Sequence, residues 1–114
     1  MRLLLAIAIA GAALAAAPAI AAAPKPRTVE IADNYYAPVK LTVKPGTRVT
    51  WRWPEEAGDV HDVKLRSAPK GVKKFQSEPA SSLYEFRRTL KKPGRYRIVC
   101  TLHEEMAMTI QVKR

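Results

Sequence analysis

The fold is decided by one stretch of the 114-residue chain, which reads KPGRYRIVCTLHEEMAMTIQV over residues 92–112. Apolar and polar side chains alternate on both sides of a short loop, with apolar positions at Tyr96, Ile98, Cys100, Met108, Ile110 and Val112. Alternation with a period of two is the pattern of a strand that buries one face. Pro93-Gly94, in front of the first run, is a turn signal. The stretch therefore predicts two adjacent strands joined by a tight loop.

The same period of two governs most of the chain upstream of this stretch. The alternating runs carry apolar side chains at Val29 and Ile31, Leu41 and Val43, Val49, Trp51 and Trp53, Val63 and Leu65, and Tyr84 and Phe86. Turn signals such as Lys44-Pro45-Gly46 separate them, and residues 77–82 hold one helical turn at most. The pattern predicts an all-β protein, an antiparallel Greek-key β-sandwich of about seven or eight strands.

The first 23 residues differ in composition from the rest, and we expect them to be a secretory signal peptide. Twenty of the residues 1–23 are hydrophobic, Arg2 precedes the apolar run, and small residues end it. The run is short for a membrane span, which needs roughly 20 strongly apolar residues. We therefore expect one domain over residues 24–114. It would be exported to the periplasm or the extracellular medium, and membrane-associated if the signal is retained.

Few residues of this chain can bind a soft or borderline metal ion. Cys100 is the only cysteine, and His61 and His103 are the only histidines. Cys100, His103 and Met106 lie on the tight loop, whereas His61 lies far upstream at the start of another strand. Two His and one Cys in a trigonal arrangement with a weak axial Met form a blue-copper electron-transfer site. Taken singly, each residue is also compatible with a structural role in the core or at the surface.

Four segments carry a resemblance to a known family. They are YAP at residues 36–38, LTVKPGTRVTW at residues 41–51, HDV at residues 61–63 and KPGRYRIVCTLH at residues 92–103. With them the chain resembles a cupredoxin of the plastocyanin and amicyanin type over essentially all of residues 24–114. The resemblance implies that His61, Cys100, His103 and Met106 bind one copper ion in a mononuclear type 1 site. It also implies a protein that carries electrons without transforming a substrate.

Two methionines follow His103, and either one fits a ligand loop of this family. Met106 matches the short Cys-x2-His-x2-Met loop of amicyanin-like members, whereas Met108 matches the longer Cys-x2-His-x4-Met loop of plastocyanins. In the family, core-facing positions resume four and six residues past the axial Met. From Met106 these are Ile110 and Val112, whereas from Met108 the second is Arg114. We therefore expect Met106 to be the axial ligand and Met108 to pack inward near the site.

The residue after the first ligand histidine is Asp62, where the family commonly has an Asn that ties the two ligand loops together. A carboxylate can accept a hydrogen bond from Thr101 but lacks the amide donor. An ionised Asp62 close to copper would favour Cu(II) and lower the reduction potential. The alternative is that Asp62 points to solvent.

The charges are distributed unevenly along the chain, which has a net charge of +10. Six of the ten acidic residues adjoin ligand segments, namely Glu55, Glu56, Asp59, Asp62, Glu104 and Glu105. Basic residues concentrate elsewhere, at Lys70, Lys73, Lys74, Arg87, Arg88, Lys91, Lys92, Arg95 and Arg97. We expect an acidic rim at the copper end, redox partners that are cationic at the docking face, and an association that weakens with salt. The basic body is either a solvated surface or a contact for an anionic membrane or cell wall.

Three functions fit these features. The leading one is an exported type 1 copper protein that carries single electrons between redox partners. The alternative is a copper-binding module for copper carriage, buffering or delivery, and the third is a cationic secreted sandwich that binds polyanions. Catalysis is not expected, because a multicopper oxidase needs further histidines and neither histidine here is left as a general base. We expect a monomer without a nucleic-acid partner.

Overall fold

A computed structural model describes residues 3–4, 6–13 and 22–114 and contains eight β-strands. The strands are β1 Arg27–Ala32, β2 Tyr35–Ala37, β3 Lys40–Val43, β4 Thr47–Trp53, β5 Lys64–Ser67, β6 Tyr84–Leu90, β7 Gly94–Val99 and β8 Ala107–Val112. No helix occurs among the described residues. The prediction of an all-β fold with about seven or eight strands is confirmed.

The segment predicted to be a signal peptide lies partly outside the described residues. It is described only at residues 3–4, 6–13, 22 and 23, and these form neither helix nor strand. In the part of the chain that the structure describes, no helix is long and apolar enough to cross a membrane. The signal peptide therefore stays a prediction.

The strands form a sandwich of two four-stranded sheets. The first sheet has the order β2-β1-β4-β6, and the second has the order β3-β8-β7-β5. β1 runs parallel to β4 and β3 parallel to β8, whereas the other four pairs are antiparallel. The sandwich is as predicted, but both sheets are mixed. Alternation identifies the buried face of a strand and carries no information on the direction of its neighbours.

The alternating apolar side chains form one core between the sheets. Along β4, Val49, Trp51 and Trp53 are buried, while Arg52 between the two tryptophans is exposed. Burying a large apolar side chain stabilises the fold by about 1.5–3 kcal/mol. The core also contains one polar contact between the sheets, because Trp51 Nε1 donates a hydrogen bond to Met108 Sδ at 3.4 Å. This contact fixes Met108 to the centre of the first sheet.

One end of the sandwich collects the loops that carry the predicted ligands. Val99 at the end of β7 is paired with Ala107 on β8 and with Lys64 on β5. The β7–β8 loop therefore lies beside the segment that leads into β5. From the first sheet, the Tyr36 hydroxyl donates a hydrogen bond to the carbonyl of Asp62 at 2.7 Å. Both sheets thus hold the segment around residue 61 in place.

Candidate metal centre

Three of the four predicted ligands meet at this end of the sandwich. Ligand atoms of His61, Cys100 and His103 all lie within 4.8 Å of one another. His61 Nδ1 is 3.2 Å from His103 Nδ1, and His103 Nδ1 is 3.6 Å from Cys100 Sγ. His61 and Cys100 are buried, while His103 is partly exposed. The three residues are placed to bind one metal ion.

His61 is held both by its backbone and by its ring. Its N–H and C=O pair with Ala80 at 2.9 and 3.0 Å, so residues 77–82 supply a β-bridge rather than a helical turn. Its Nε2 lies 3.1 Å from the carbonyl oxygen of Ala57. A carbonyl only accepts hydrogen bonds, so this contact places the proton on Nε2 and leaves a lone pair on Nδ1.

His103 presents the same nitrogen to the centre. Its Nε2 lies 3.4 Å from the carboxylate of Asp59, which favours a proton on Nε2. With these tautomers, the Nδ1 atoms of His61 and His103 face each other at 3.2 Å with a lone pair on each. Two such lone pairs repel, whereas a cation bound between them makes both contacts attractive. The donor set therefore fits a metal ion.

The distances between the donor atoms also fit a single ion. In zinc sites, nitrogen ligands lie about 2.0–2.1 Å and thiolate sulfur about 2.3 Å from the metal. At a tetrahedral angle, these bond lengths place two nitrogens about 3.3–3.4 Å apart and a nitrogen and a sulfur about 3.5–3.6 Å apart. The observed separations are 3.2 Å for the two nitrogens and 3.6 Å for nitrogen and sulfur. Two of the three donor pairs therefore lie at the separation that one ion requires, and the third pair, His61 and Cys100, lies within 4.8 Å.

The loop that carries Cys100 and His103 is closed by its own backbone. The Cys100 N–H donates to the Met106 carbonyl at 2.9 Å, and the Met106 N–H donates to the His103 carbonyl at 3.1 Å. Burial raises the pKa of the Cys100 thiol, and the backbone N–H groups of Asp62 and Leu102 partly oppose that shift. The metal-free thiol is therefore protonated near neutral pH and must lose its proton to bind a metal.

Asp62 connects the two ligand segments. Its Oδ1 accepts a hydrogen bond from the Thr101 N–H at 2.7 Å, and its Oδ2 accepts bonds from the Thr101 hydroxyl and from Gln76 Nε2. The side chain is buried, so the alternative in which Asp62 points to solvent is wrong. Because it is buried, Asp62 is not part of the exposed acidic rim expected at the copper end.

The two methionines of the loop region are both buried. Met108 lies on β8 opposite Ile98, and its sulfur accepts the hydrogen bond from Trp51. Met108 therefore packs inward, as expected. Met106 lies between the β7–β8 loop and the start of β8, and its assignment as the axial ligand stays a prediction.

Carboxylates flank the partly exposed side of the centre. Asp33 Oδ1 lies 3.7 Å from His61 Nε2, and Asp59 lies against His103. The pKa of Asp59 is lowered, first by the backbone N–H of Val60 and then by His103. The exposed acidic residues adjoining the ligand segments also include Glu55, Glu56, Glu104 and Glu105. The ligand end of the molecule is therefore acidic at its surface, as expected.

No sequence pattern predicts two of the polar residues beside the centre. Asp33 lies in the turn between β1 and β2, and Gln76 lies in the connection between β5 and β6. Neither residue has a characteristic spacing to a ligand, so only the folded topology brings them to the site. A polar residue in an ordinary turn or loop gives no signal that could have identified it.

The raised pKa of the Cys100 thiol leads to a prediction about proton release. At pH 8 the thiol is still protonated, and metals bind the thiolate. Zn(II), which is redox-inert, is used as the probe. Its binding should therefore release about one more proton per ion from the wild type than from Cys100→Ser. Titration calorimetry in buffers of different ionisation enthalpy measures this number. Equal proton release from both proteins would contradict a metal-bound thiolate.

The fold has counterparts among known proteins. The reduced Cu(I) form of an amicyanin variant has 27% identity and a TM-score of 0.65, covering 89% of this chain and 88% of that chain. A copper-containing nitrite reductase from Thermus scotoductus has 26% identity and a TM-score of 0.67, covering 88% of this chain. The match covers only 25% of the reductase.

Three further comparisons complete this picture. A pseudoazurin from Sinorhizobium shares the fold, with 24% identity, a TM-score of 0.64, and coverage of 79% of this chain and 75% of that chain. No curated protein sequence matches the chain. The family model of the cupredoxin-like domain matches residues 3–112. The chain therefore belongs to the cupredoxin-like domain family.

Proposed function

We propose that this protein binds one copper ion through His61, Cys100, His103 and an axial Met106 and carries single electrons between redox partners. The observation that carries the proposal is the convergence of two imidazole Nδ1 atoms and one buried thiol at one end of a β-sandwich. The Cu(I) form of the amicyanin variant supports copper as the metal, because its fold covers most of this chain.

The chemistry of the donors favours copper over zinc. Thiolate and thioether sulfur are soft ligands that suit Cu(I), while imidazole binds both oxidation states of copper. Zinc also binds a Cys and two His, but a thioether at the fourth position would contribute little to the binding affinity for zinc. Met106 lies at the end of the ligand loop, and the sulfur of Met108 already accepts a hydrogen bond from Trp51. Both observations support Met106 as that thioether.

The protein's contribution is to hold the donor atoms still. When bound, copper supplies one-electron chemistry by alternating between Cu(II) and Cu(I). The bridge between His61 and Ala80, the closed Cys100–Met106 loop and the Asp62–Thr101 bonds oppose movement of the ligands. A site that does not rearrange when its charge changes is suited to rapid electron exchange, because little reorganisation accompanies each transfer.

His103 supports a route for electrons to the surface. Its side chain is 22% exposed, whereas that of His61 is fully buried. Next to the two histidines in sequence, Leu102 and Val60 are 52% and 39% exposed, so apolar surface accompanies the acidic rim. A partner docking here would combine apolar contact with cationic groups, and its association would weaken with salt.

Export is part of the proposal. Residues 1–23 have the apolar run and the small residues of a secretory signal. An exported single-cysteine protein needs its thiol protected from oxidation, and in the fold Cys100 is buried beside two histidines. The periplasm or the extracellular medium is the compartment that we propose.

The proposed function is tested by adding Cu(II) to the purified protein and recording its visible spectrum, with Cys100→Ser as the control. We expect an intense blue sulfur-to-copper charge-transfer band that the variant lacks and that reductant and oxidant remove and restore repeatedly. A colourless protein that binds Cu(I) and yields it readily to a chelator would instead indicate copper carriage. Absence of copper binding would contradict both functions.

The axial assignment is tested by a pair of matched variants, Met106→Leu and Met108→Leu. We expect Met106→Leu to change both the visible spectrum and the reduction potential, because the axial ligand tunes the potential of such a site. Met108→Leu should leave both nearly unchanged but lower the free energy of unfolding by about 1 kcal/mol, since Trp51 loses its hydrogen-bond acceptor. The opposite pattern in the spectra would identify Met108 as the axial ligand.

Asp62 should lower the reduction potential of the site. Its buried carboxylate accepts bonds from three donors and lies between the ligand segments. Asp62→Asn removes a negative charge and should raise the potential by roughly tens of millivolts, from Coulomb's law with an effective dielectric constant of about 20. Voltammetry of the copper-loaded variant measures the shift, with Glu104→Gln as an exposed control. An unchanged potential in Asp62→Asn would refute this role.

A further inference from the structure

A cleft of about 420 Å³ lies beside the edge strand β6. Its cationic lining consists of Lys73, Lys74, Arg88, Lys91 and Lys92. No carboxylate lines it among the described residues. Like charges gathered around one concavity repel each other, and a bound anion would relieve this repulsion.

Arg88 is the cation of this set that lies over aromatic rings. It follows Phe86 by two residues on the edge strand β6 and lies on the same side of the sheet, but it is exposed whereas Phe86 is buried. Its guanidinium carbon lies 4.2 Å from the centre of the Phe86 ring and 5.5 Å from that of Phe75. Contact with two aromatic rings orients the guanidinium while its edge remains able to donate hydrogen bonds.

The hydrogen bonds of Arg88 leave most of its donors for a ligand. Nη1 donates to the carbonyl of Arg87 at 2.6 Å, and no ion pair joins Arg88 to a carboxylate within the described part of the chain. The neighbouring Arg87 differs, because it is paired with Glu85. The charge of Arg87 is therefore neutralised by Glu85. The charge of Arg88 has no carboxylate partner among the described residues, and Arg88 lines the cleft.

The cleft lies at the end of the sandwich away from the metal centre. Leu90, which lines the cleft, is the last residue of β6, whereas the first residue, Tyr84, pairs with Trp53 near the ligand loops. A strand of seven residues spans roughly 20 Å between these two ends. A ligand in the cleft would therefore leave the partly exposed edge of His103 accessible.

We propose that this cleft is a binding site for a phosphate-type oxyanion, either the headgroup of an anionic lipid or a soluble phosphate compound. The planar Arg88 donor fork matches the geometry of phosphate oxygens, and Lys73, Lys74 and Lys91 supply further positive charge around it. The site is independent of the proposed electron transfer, since it includes none of the metal ligands. A headgroup bound here would hold the protein on a surface with its metal end directed elsewhere.

The test is an NMR titration of the full-length protein with inorganic pyrophosphate at constant ionic strength, with Arg88→Gln and Arg87→Gln compared as variants of equal charge. We expect saturable shifts confined to residues 71–75 and 88–92. Arg88→Gln should weaken binding about tenfold or more, and Arg87→Gln less than twofold. Lys91→Gln, which lies away from the core, should also weaken binding. This variant replaces Arg88→Gln in the test if Arg88→Gln does not fold.

A second measurement distinguishes the two sources of the anion. The protein is sedimented with vesicles of phosphatidylglycerol and with vesicles of phosphatidylcholine. Binding to phosphatidylglycerol alone, reduced in Arg88→Gln but not in Arg87→Gln, supports a lipid headgroup. Pyrophosphate binding without vesicle binding supports a soluble phosphate compound. Unsaturable shifts spread over the whole surface, or equal losses in Arg87→Gln and Arg88→Gln, would overturn the proposal. The result does not depend on copper.

Discussion

Two imidazole nitrogens that face each other at 3.2 Å, with both ring protons directed outward to Ala57 and Asp59, set the constraint on which the rest of the structure depends. Two lone pairs at this distance repel each other unless a cation lies between them, so other interactions contribute to holding the two histidines together. The sandwich supplies them through the bridge between His61 and Ala80 and through the closed loop that carries Cys100 and His103. The fold thus stabilises a geometry that benefits only a bound ion.

Asp62 is the residue that links this geometry to both sheets. Its backbone carbonyl accepts the hydroxyl of Tyr36 from the first sheet, while its carboxylate holds Thr101 in the second ligand segment. A buried carboxylate is costly unless its hydrogen bonds are made, and here Thr101 and Gln76 supply them. The same side chain therefore positions the ligand loops and places negative charge beside the site.

Much of this arrangement follows from the sequence. Alternation identifies the strands because each buries one face, and the rarity of His and Cys makes His61, Cys100 and His103 stand out. The parallel pairing of β1 with β4 does not follow, because alternation is the same for either direction. Asp33 and Gln76 reach the site only through topology.

The cationic cleft illustrates the same limit. Its residues come from two separate segments, 71–75 and 88–92, together with Tyr96. The distribution of charges along the chain indicates a basic surface, but it does not indicate that these residues line a cleft. Arg88 also departs from the pattern, because alternation predicts a buried apolar residue between Phe86 and Leu90, and Arg88 is charged and exposed. Only the two phenyl rings around its guanidinium explain how a cation is accommodated.

The central claim is that His61, Cys100 and His103 bind the same copper ion. X-ray absorption at the copper K edge of the copper-loaded protein tests it most directly, because the fine structure reports the atoms bound to the metal. We expect two nitrogen scatterers and one short sulfur scatterer, with the sulfur lost in Cys100→Ser. A first coordination sphere of nitrogen and oxygen alone in the wild type would contradict the account.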